Sequence, residues 1–574
     1  MNYMKEYKRW LDSPCLSEAE WSCLKEIAEN EKEIESRFYA PLEFGTAGLR
    51  GIMGVGLNRM NIHVIRWTTQ AFAELILSEG EEAKEKGLII CYDCRVNSDV
   101  FAKEAASVAA ANGIKCRIFD SLRPTPELSF AIRHYGAIAG INVTASHNPK
   151  EYSGYKVYWS DGAQLPPQHA QKIADTMSKL DMFKDVKRMP FEEAVQKDLI
   201  SILGEETDEI FLERVLEMSI SSEPVKKLGE NFAVVYTPFH GTGYKLIPEV
   251  LKRIGVKNIY PEPKQTEIDG TFPTVISPNP EDPEGFYLAI ELAEKKDADL
   301  IIGTDPDADR IGVLVKHEGE YRQLSGNQIG LLLLDYIINL KRENGTLPEN
   351  AAVITTIVTS KMAKVMAEDN GIHLDETFTG FKFIAEKIAE YENDNSYDYQ
   401  LAFEESYGYM FGDFVRDKDA VTAALLITEM AAFHLQNGRT LFDAMDMLYE
   451  KHGFFREKTV NIAMEGLEGV SKRRALMEHF RNSPPDEIVG FKVVGVKDYQ
   501  SGEITVPGLG KVGHTHIMGS DVLVFDLIEG SSLVIRPSGT EPKVKVYMLL
   551  SGKSKEELEK KEERLLEFAE SLKE

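Results

Sequence analysis

The stretch ADLIIGTDPDADRIGVLV, residues 298–315, places an acidic turn between two apolar runs, 300–302 and 311–315, that read as buried strands. Asp305, Asp307 and Asp309 alternate around Pro306. A loop in this position sits at the carboxyl end of a sheet strand, where α/β sheets present their ligand-binding residues. Three carboxylates on so short a turn repel one another unless a cation lies among them. Oxygen-only ligands suit a hard ion, and Mg²⁺ takes few carboxylates while keeping room for a phosphate oxygen. Arg310 follows at once and can pair with the acids or reach a phosphate.

Apolar runs of the same kind recur outward from this stretch: KGLIICYD (86–93), IKCRIFD (114–120), AIAGINVTA (137–145), NFAVVYT (231–237), AAVITTIV (351–358) and YQLAFEE (399–405). Helical stretches separate them, and this alternation predicts doubly wound, parallel α/β domains. Residues 1 to about 40 read as helical, with Ser17 and Glu20 forming a capping box. The pattern restarts twice, which divides the chain into α/β domains over 1–205, 206–325 and 326–455. From 456 to 574 strand-like runs, a Gly-rich segment and a charged terminal helix predict a smaller α+β domain.

At 574 residues the chain exceeds what one hydrophobic core supports, and 28% charged residues fit a globular protein. The net charge of −27 disfavours nucleic acid and anionic membrane surfaces, so cations that bind anions must be concentrated in loops. Five cysteines with a lone C-x-x-C, Cys91 and Cys94, match neither a disulfide framework nor a zinc site. The N-terminus lacks a secretory h-region and no apolar run is long enough to span a bilayer, so a cytoplasmic enzyme is expected. A small-molecule substrate and a monomer or weak homo-oligomer go with this reading.

Three further loops carry polar chemistry. In NVTASHNPKEYSGYK (142–156), Ser146 lies among Thr144, His147 and Asn148, and Asn148-Pro149 forces a turn that presents the hydroxyl. His147 and Lys156 are candidate activators of a covalent serine. In LAFEESYGYMFGDFVRDKDA (401–420), Glu404 and Ser406 would point the same way from an extended segment and suit a sugar diol. Lys418 there could equally belong to a surface ion-pair cluster. In LVIRPSGTEPKVKVY (533–547), Arg536, Ser538, Gly539 and Thr540 build an anion nest.

Taken in order, T-A-S-H-N-P, G-T-D-P-D-A-D-R, E-E-S-x-G and R-P-S-G-T resemble the α-D-phosphohexomutase superfamily over most of the chain. FGTAGLRG (44–51), SPNPE (277–281) and FTGFKF (378–383) are similar to loops of the same family, and the FEESYGY form looks closest to its phosphoglucomutase branch. The resemblance implies four domains around a central cleft and a glucose 1-phosphate to glucose 6-phosphate mutase, with mannose and pentose phosphates as competing substrates. It implies a phosphorylated Ser146, one Mg²⁺ held by Asp305, Asp307, Asp309 and a phosphoserine oxygen, and glucose 1,6-bisphosphate as activator and intermediate. Glu404 and Ser406 would bind sugar hydroxyls, with Thr379 and Gly380 beside them. Arg536, Ser538, Gly539 and Thr540 would hold the non-reacting phosphate, while Arg50, His147, Lys156, Arg310 and Lys418 would surround the reacting one. Phe403 stands where the family often has glycine, and KEYSGY fills the segment between Pro149 and Lys156, two departures that bear on sugar preference. An aspartyl-nucleophile phosphatase using Asp305 or Asp307, or a silent sugar-phosphate binder, are the competing readings.

Overall fold

A computed structural model of the chain describes residues 2–464, 466–538 and 543–573. It divides into two compact units, residues 1–324 with 407–437 and residues 325–406 with 438–574.

The first unit holds two sheets. One has the strand order Leu49–Ile52, Tyr152–Trp159, Ala139–Val143, Leu88–Tyr92, Cys116–Phe119, Ile200–Leu203. Its central strands Leu88–Tyr92 and Ala139–Val143 are buried at every position because both faces are covered. Leu88, Ile90 and Tyr92 face the core shared with helices Ile62–Ser78 and Ser98–Ala111, while Ile89 and Cys91 face Leu128 and Ile132 of helix Thr125–His134. Cys91 is therefore a core residue on the second face. The other sheet runs Glu320–Leu324, Ile311–His317, Leu300–Thr304, Ala233–Thr237, Asn258–Pro261.

The sheets are not parallel throughout. Tyr152–Trp159 returns antiparallel to Ala139–Val143, and Ile311–His317 returns antiparallel to Leu300–Thr304. The connecting loops are too short for a right-handed crossover, which needs about a dozen residues, so each closes as a hairpin. Both hairpins carry the polar loops singled out above.

Three helices precede the first sheet, and the Ser17–Glu20 capping box is present at the second. Helix Ala420–Gln436 is buried along nearly its whole length within the first unit. In the second unit, strands His373–Thr377, Ala351–Thr356 and Asp398–Glu404 form a parallel array. An antiparallel sheet follows, in which Phe454–Ala463, Lys543–Gly552, Ser532–Pro537, Leu523–Leu527 and Phe491–Asp498 are successive neighbours. Its apolar face packs on helices Gly466–Asn482 and Lys555–Ser571 through Met477, Phe480, Leu558 and Leu565. Among the described residues no helix is long and apolar enough to cross a membrane.

Candidate active site

In the first unit the two hairpin loops meet. Strand Ala139–Val143 opens at Thr144, and the returning strand sets Lys156 opposite Asn142. Gly154 lies under this loop, where a Cβ would fall 2.3 Å from the Thr144 carbonyl oxygen. Ser146 takes a left-handed conformation, φ 51°, unusual for a residue with a side chain. Its hydroxyl donates to Asp305 Oδ2 at 2.7 Å and lies 3.3 Å from His147 Nδ1. The acidic loop is backed by Gly241, where a Cβ would meet Pro306 Cα at 2.4 Å.

Asp305, Asp307 and Asp309 are buried, and one carboxylate oxygen of each lies within 4.8 Å of the others. Lys156 Nζ donates to Asp307 Oδ2 at 2.6 Å and Asp309 Oδ2 at 3.2 Å. Lys418 Nζ lies 3.1 Å from Asp309 Oδ2 and 3.1 Å from Asp417 Oδ1, so it is a buried member of this cluster rather than a surface charge. Arg310 Nε stands 3.8 Å from Asp309 Oδ1. Arg50 reaches Asn148 Oδ1 at 2.8 Å. The structure thus gathers Arg50, Ser146, His147, Lys156, Asp305, Asp307, Asp309, Arg310 and Lys418 about one pair of loops.

The electrostatics follow from this crowding. Burial and then the neighbouring Asp307 and Asp309 push the Asp305 carboxyl well above the ordinary range. Burial works the same way on Asp309, but Lys156, Lys418 and Arg310 outweigh it and hold that carboxyl well below. Burial would lower the Lys156 ammonium, yet Asp307 and Asp309 keep it above the ordinary lysine value. His147 is driven well below its usual value, by burial first and then by Arg310 and Arg50, and is a neutral imidazole. Asp307 Oδ1 and Asp309 Oδ1 are buried and accept no hydrogen bond. Asp305, Asp307 and Asp309, with these two unpartnered oxygens, could hold a hard metal ion.

The second unit holds the remaining described residues. Glu404 ends strand Asp398–Glu404, is 6% exposed, and accepts the Gly380 N–H at 2.5 Å. The extended geometry expected over 404–406 is not found. The strand stops at Glu404 and residues 405–407 turn, because Tyr407 adopts φ 64°. Ser406 and Thr379 are half-buried beside this turn and the Gly380 loop respectively. Phe403 faces the opposite way from Glu404 and packs against Gly330, where a Cβ would lie 2.2 Å from its ring. Arg536 Nη1 donates to the Tyr547 hydroxyl at 3.3 Å, and Ser538 N donates to Lys543 O at 2.9 Å. Gly539 and Thr540 lie outside the described residues.

Four residues of these clusters escaped the reading of the sequence. Thr125 donates to Asp307 Oδ2 at 2.7 Å, and Asp417 holds Lys418. Asp93 accepts from Thr144 at 2.6 Å, and Arg95 bonds the carbonyls of the serine loop. Thr125 sits in a polar R-P-T-P segment after a strand, and that was the available signal.

Comparison with known proteins agrees with the motif order. Models of phosphoglucomutase/phosphomannomutase alpha/beta/alpha domains I, II and III match residues 41–184, 209–319 and 325–452, and the C-terminal domain model matches 492–567. The phosphoglucomutase of Staphylococcus saprophyticus is 35% identical over 94% of this chain and 96% of its own length. That of Staphylococcus aureus is 36% identical over 92% and 93%. Among solved structures, parafusin (phosphoglucomutase) from Paramecium has a TM-score of 0.65 at 19% identity, covering 89% of this chain and 91% of its own. A phosphoglucomutase/phosphomannomutase family protein from Burkholderia thailandensis has 0.63 at 18%, covering 92% and 97%. With about 35% identity over more than nine-tenths of the chain and all four domain models matched in order, the chain belongs to the phosphoglucomutase/phosphomannomutase family.

Proposed function

We propose that this chain interconverts α-D-glucose 1-phosphate and glucose 6-phosphate by way of phosphorylated Ser146. The carrying observation is the Ser146 hydroxyl, 2.7 Å from Asp305 on a loop ringed by Lys156, Lys418, Arg310 and Arg50. Phosphoserine gives its phosphoryl group to the sugar's free hydroxyl: the new O–P bond forms as the bond to Ser146 Oγ breaks. The resulting glucose 1,6-bisphosphate turns around and returns its other phosphoryl group to Ser146. The relatives' shared name favours glucose among the phosphosugars.

Asp305, Asp307 and Asp309, with a phosphoserine oxygen, would hold one Mg²⁺, which supplies positive charge against the transferring phosphoryl oxygens. The orphaned Asp307 and Asp309 oxygens fit that ion. His147, with Nδ1 3.3 Å from Ser146 Oγ, and Lys156 and Lys418, paired with Asp307 and Asp309, are the candidate groups for handling the reacting proton. Arg536 and Ser538 would grip the non-reacting phosphate, with Gly539 and Thr540 completing the nest, and Glu404, Ser406, Thr379 and Gly380 would orient the sugar. An aspartyl nucleophile is disfavoured, since it would leave the serine loop over 142–156 and the Arg536–Ser538 segment without a role.

The test is intact-mass measurement and peptide mapping after incubation with glucose 1,6-bisphosphate and Mg²⁺. One phosphoryl group on Ser146 is expected. Label on Asp305 or Asp307 with release of inorganic phosphate would favour the phosphatase. In a coupled assay glucose 1-phosphate should exceed mannose and ribose 1-phosphates in kcat/KM by about tenfold or more.

A further inference from the structure

Arg95 touches none of the groups assigned to the reaction by their side chains, yet its guanidinium lies under the serine loop with its side chain fully buried. Nη2 donates to the carbonyls of Ser146 at 2.6 Å and Asn148 at 2.5 Å, and Nη1 to those of Pro149 at 2.8 Å and Tyr152 at 3.0 Å. Four carbonyls of one short loop converge on a single cation, and two of the residues that supply them also carry side chains of the site: Ser146, which meets Asp305, and Asn148, which holds Arg50. A left-handed residue such as Ser146 persists only where its surroundings over-determine the backbone.

The cation itself is held from two sides. Asp93 pairs with its Nε at 3.2 Å, accepts the Arg95 N–H at 2.9 Å, and accepts the Thr144 hydroxyl, which in turn accepts the Ser146 N–H at 2.9 Å. The ring of Phe272 lies 5.1 Å from the guanidinium carbon. Phe272 is buried, and its segment is pressed on the arginine backbone: a Cβ on Gly270 would meet Cys94 O at 2.5 Å. Further along, Ser277 donates to the His147 carbonyl at 3.2 Å.

We propose that Arg95 is a positioning residue of phosphoryl transfer: pinned by Asp93 and covered by Phe272, its guanidinium sets the direction of the Ser146 hydroxyl and the reach of Arg50. This rests on the phosphoserine reading above. Lysine cannot replace it, because one ammonium cannot span carbonyls that a planar fork reaches from two nitrogens. A displacement of the nucleophile by about 1 Å is enough to cost about a hundredfold in rate.

The experiment compares wild type, Arg95→Lys and Phe272→Leu in steady-state kinetics and in amide hydrogen exchange over residues 144–153. Arg95→Lys is expected to lower kcat about a hundredfold with KM for glucose 1-phosphate within about threefold, while loop exchange rises about tenfold or more. Exchange in strands Leu88–Tyr92 and Ala139–Val143 should not change. Should Arg95→Lys fail to fold, Phe272→Leu keeps every hydrogen bond of the guanidinium and should move both readouts the same way by about threefold. Loop exchange unchanged in a folded Arg95→Lys chain overturns the proposal, as does a raised KM with kcat intact. If wild type takes no phosphoryl group on Ser146, the phosphoserine reading itself fails and Arg95 has no transfer to position. A loop that loosens in the variant of an enzyme that does label Ser146, with kcat unaffected, sinks the Arg95 proposal alone.

Discussion

Asp307 directs one carboxylate oxygen to Lys156 and Thr125 and leaves the other buried without a hydrogen bond. Because Lys156 already offsets part of the acidic charge, an ion bound there would serve chemistry more than folding. Chelation, or Asp307→Asn, should therefore reduce turnover by about a hundredfold or more while thermal unfolding shifts by only a few degrees. Global unfolding by calorimetry on metal removal would contradict this. Glu405 makes a second residue-scale case. Burial, then Glu404, raises its carboxyl to about 7 against the pull of Lys545 and Arg536, and its Oε2 accepts no hydrogen bond. If Lys545 and Arg536 hold substrate phosphate, the ionised carboxylate competes for those cations as pH rises through about 7. KM for glucose 1-phosphate should rise from pH 6 to pH 8 more steeply in wild type than in Glu405→Gln, by about threefold. Parallel KM profiles for the two chains would refute it.

At the scale of elements, strand Phe454–Ala463 carries Glu457, which burial raises from 4.5 to about 7 although Ser360 hydrogen-bonds its side chain. The folded value lies above the unfolded one, so between them the folded chain keeps a proton that the unfolded chain has lost. Its contribution to stability is full below about 4.5, falls as pH rises, and is gone above about 7. Glu457→Gln should remove that slope, gaining up to about 3 kcal/mol over wild type at pH 8 and less than about 1 kcal/mol at pH 5 in urea unfolding. An equal difference at both pH values would count against it. The loops were legible because polar residues directly follow apolar strands, as at 142–156 and 298–315. The hairpin return of each strand was less so, since apolar runs do not state direction. Arg95 and Thr125 were opaque for another reason: their partners Ser146 and Asp307 lie 51 and 182 residues away, and only the tertiary fold brings them together. Ser406 misled because a period-two reading continued through a turn that Tyr407 imposes.

For the whole molecule, Ser146, Asp305, Asp307 and Asp309 belong to one compact unit, and Glu404, Ser406, Arg536 and Ser538 to the other. If Arg536 merely grips a phosphate, Arg536→Ala raises KM alone, because that contact is equal in ground and transition states. If its grip also orients the sugar for in-line transfer, kcat falls as well, since binding energy from a remote phosphate is then used for positioning. The second outcome is expected, because the bisphosphate must reverse its ends without leaving and so must be loosened and regripped. Arg536→Ala should lower kcat by about tenfold or more and raise the glucose 1,6-bisphosphate found free in solution during turnover. Phosphorylation of Ser146 by added bisphosphate should persist in the variant at saturating concentration, because the serine loop and its cations are untouched. A kcat equal to wild type, with no extra bisphosphate released, would show that the Arg536 loop grips and does nothing more.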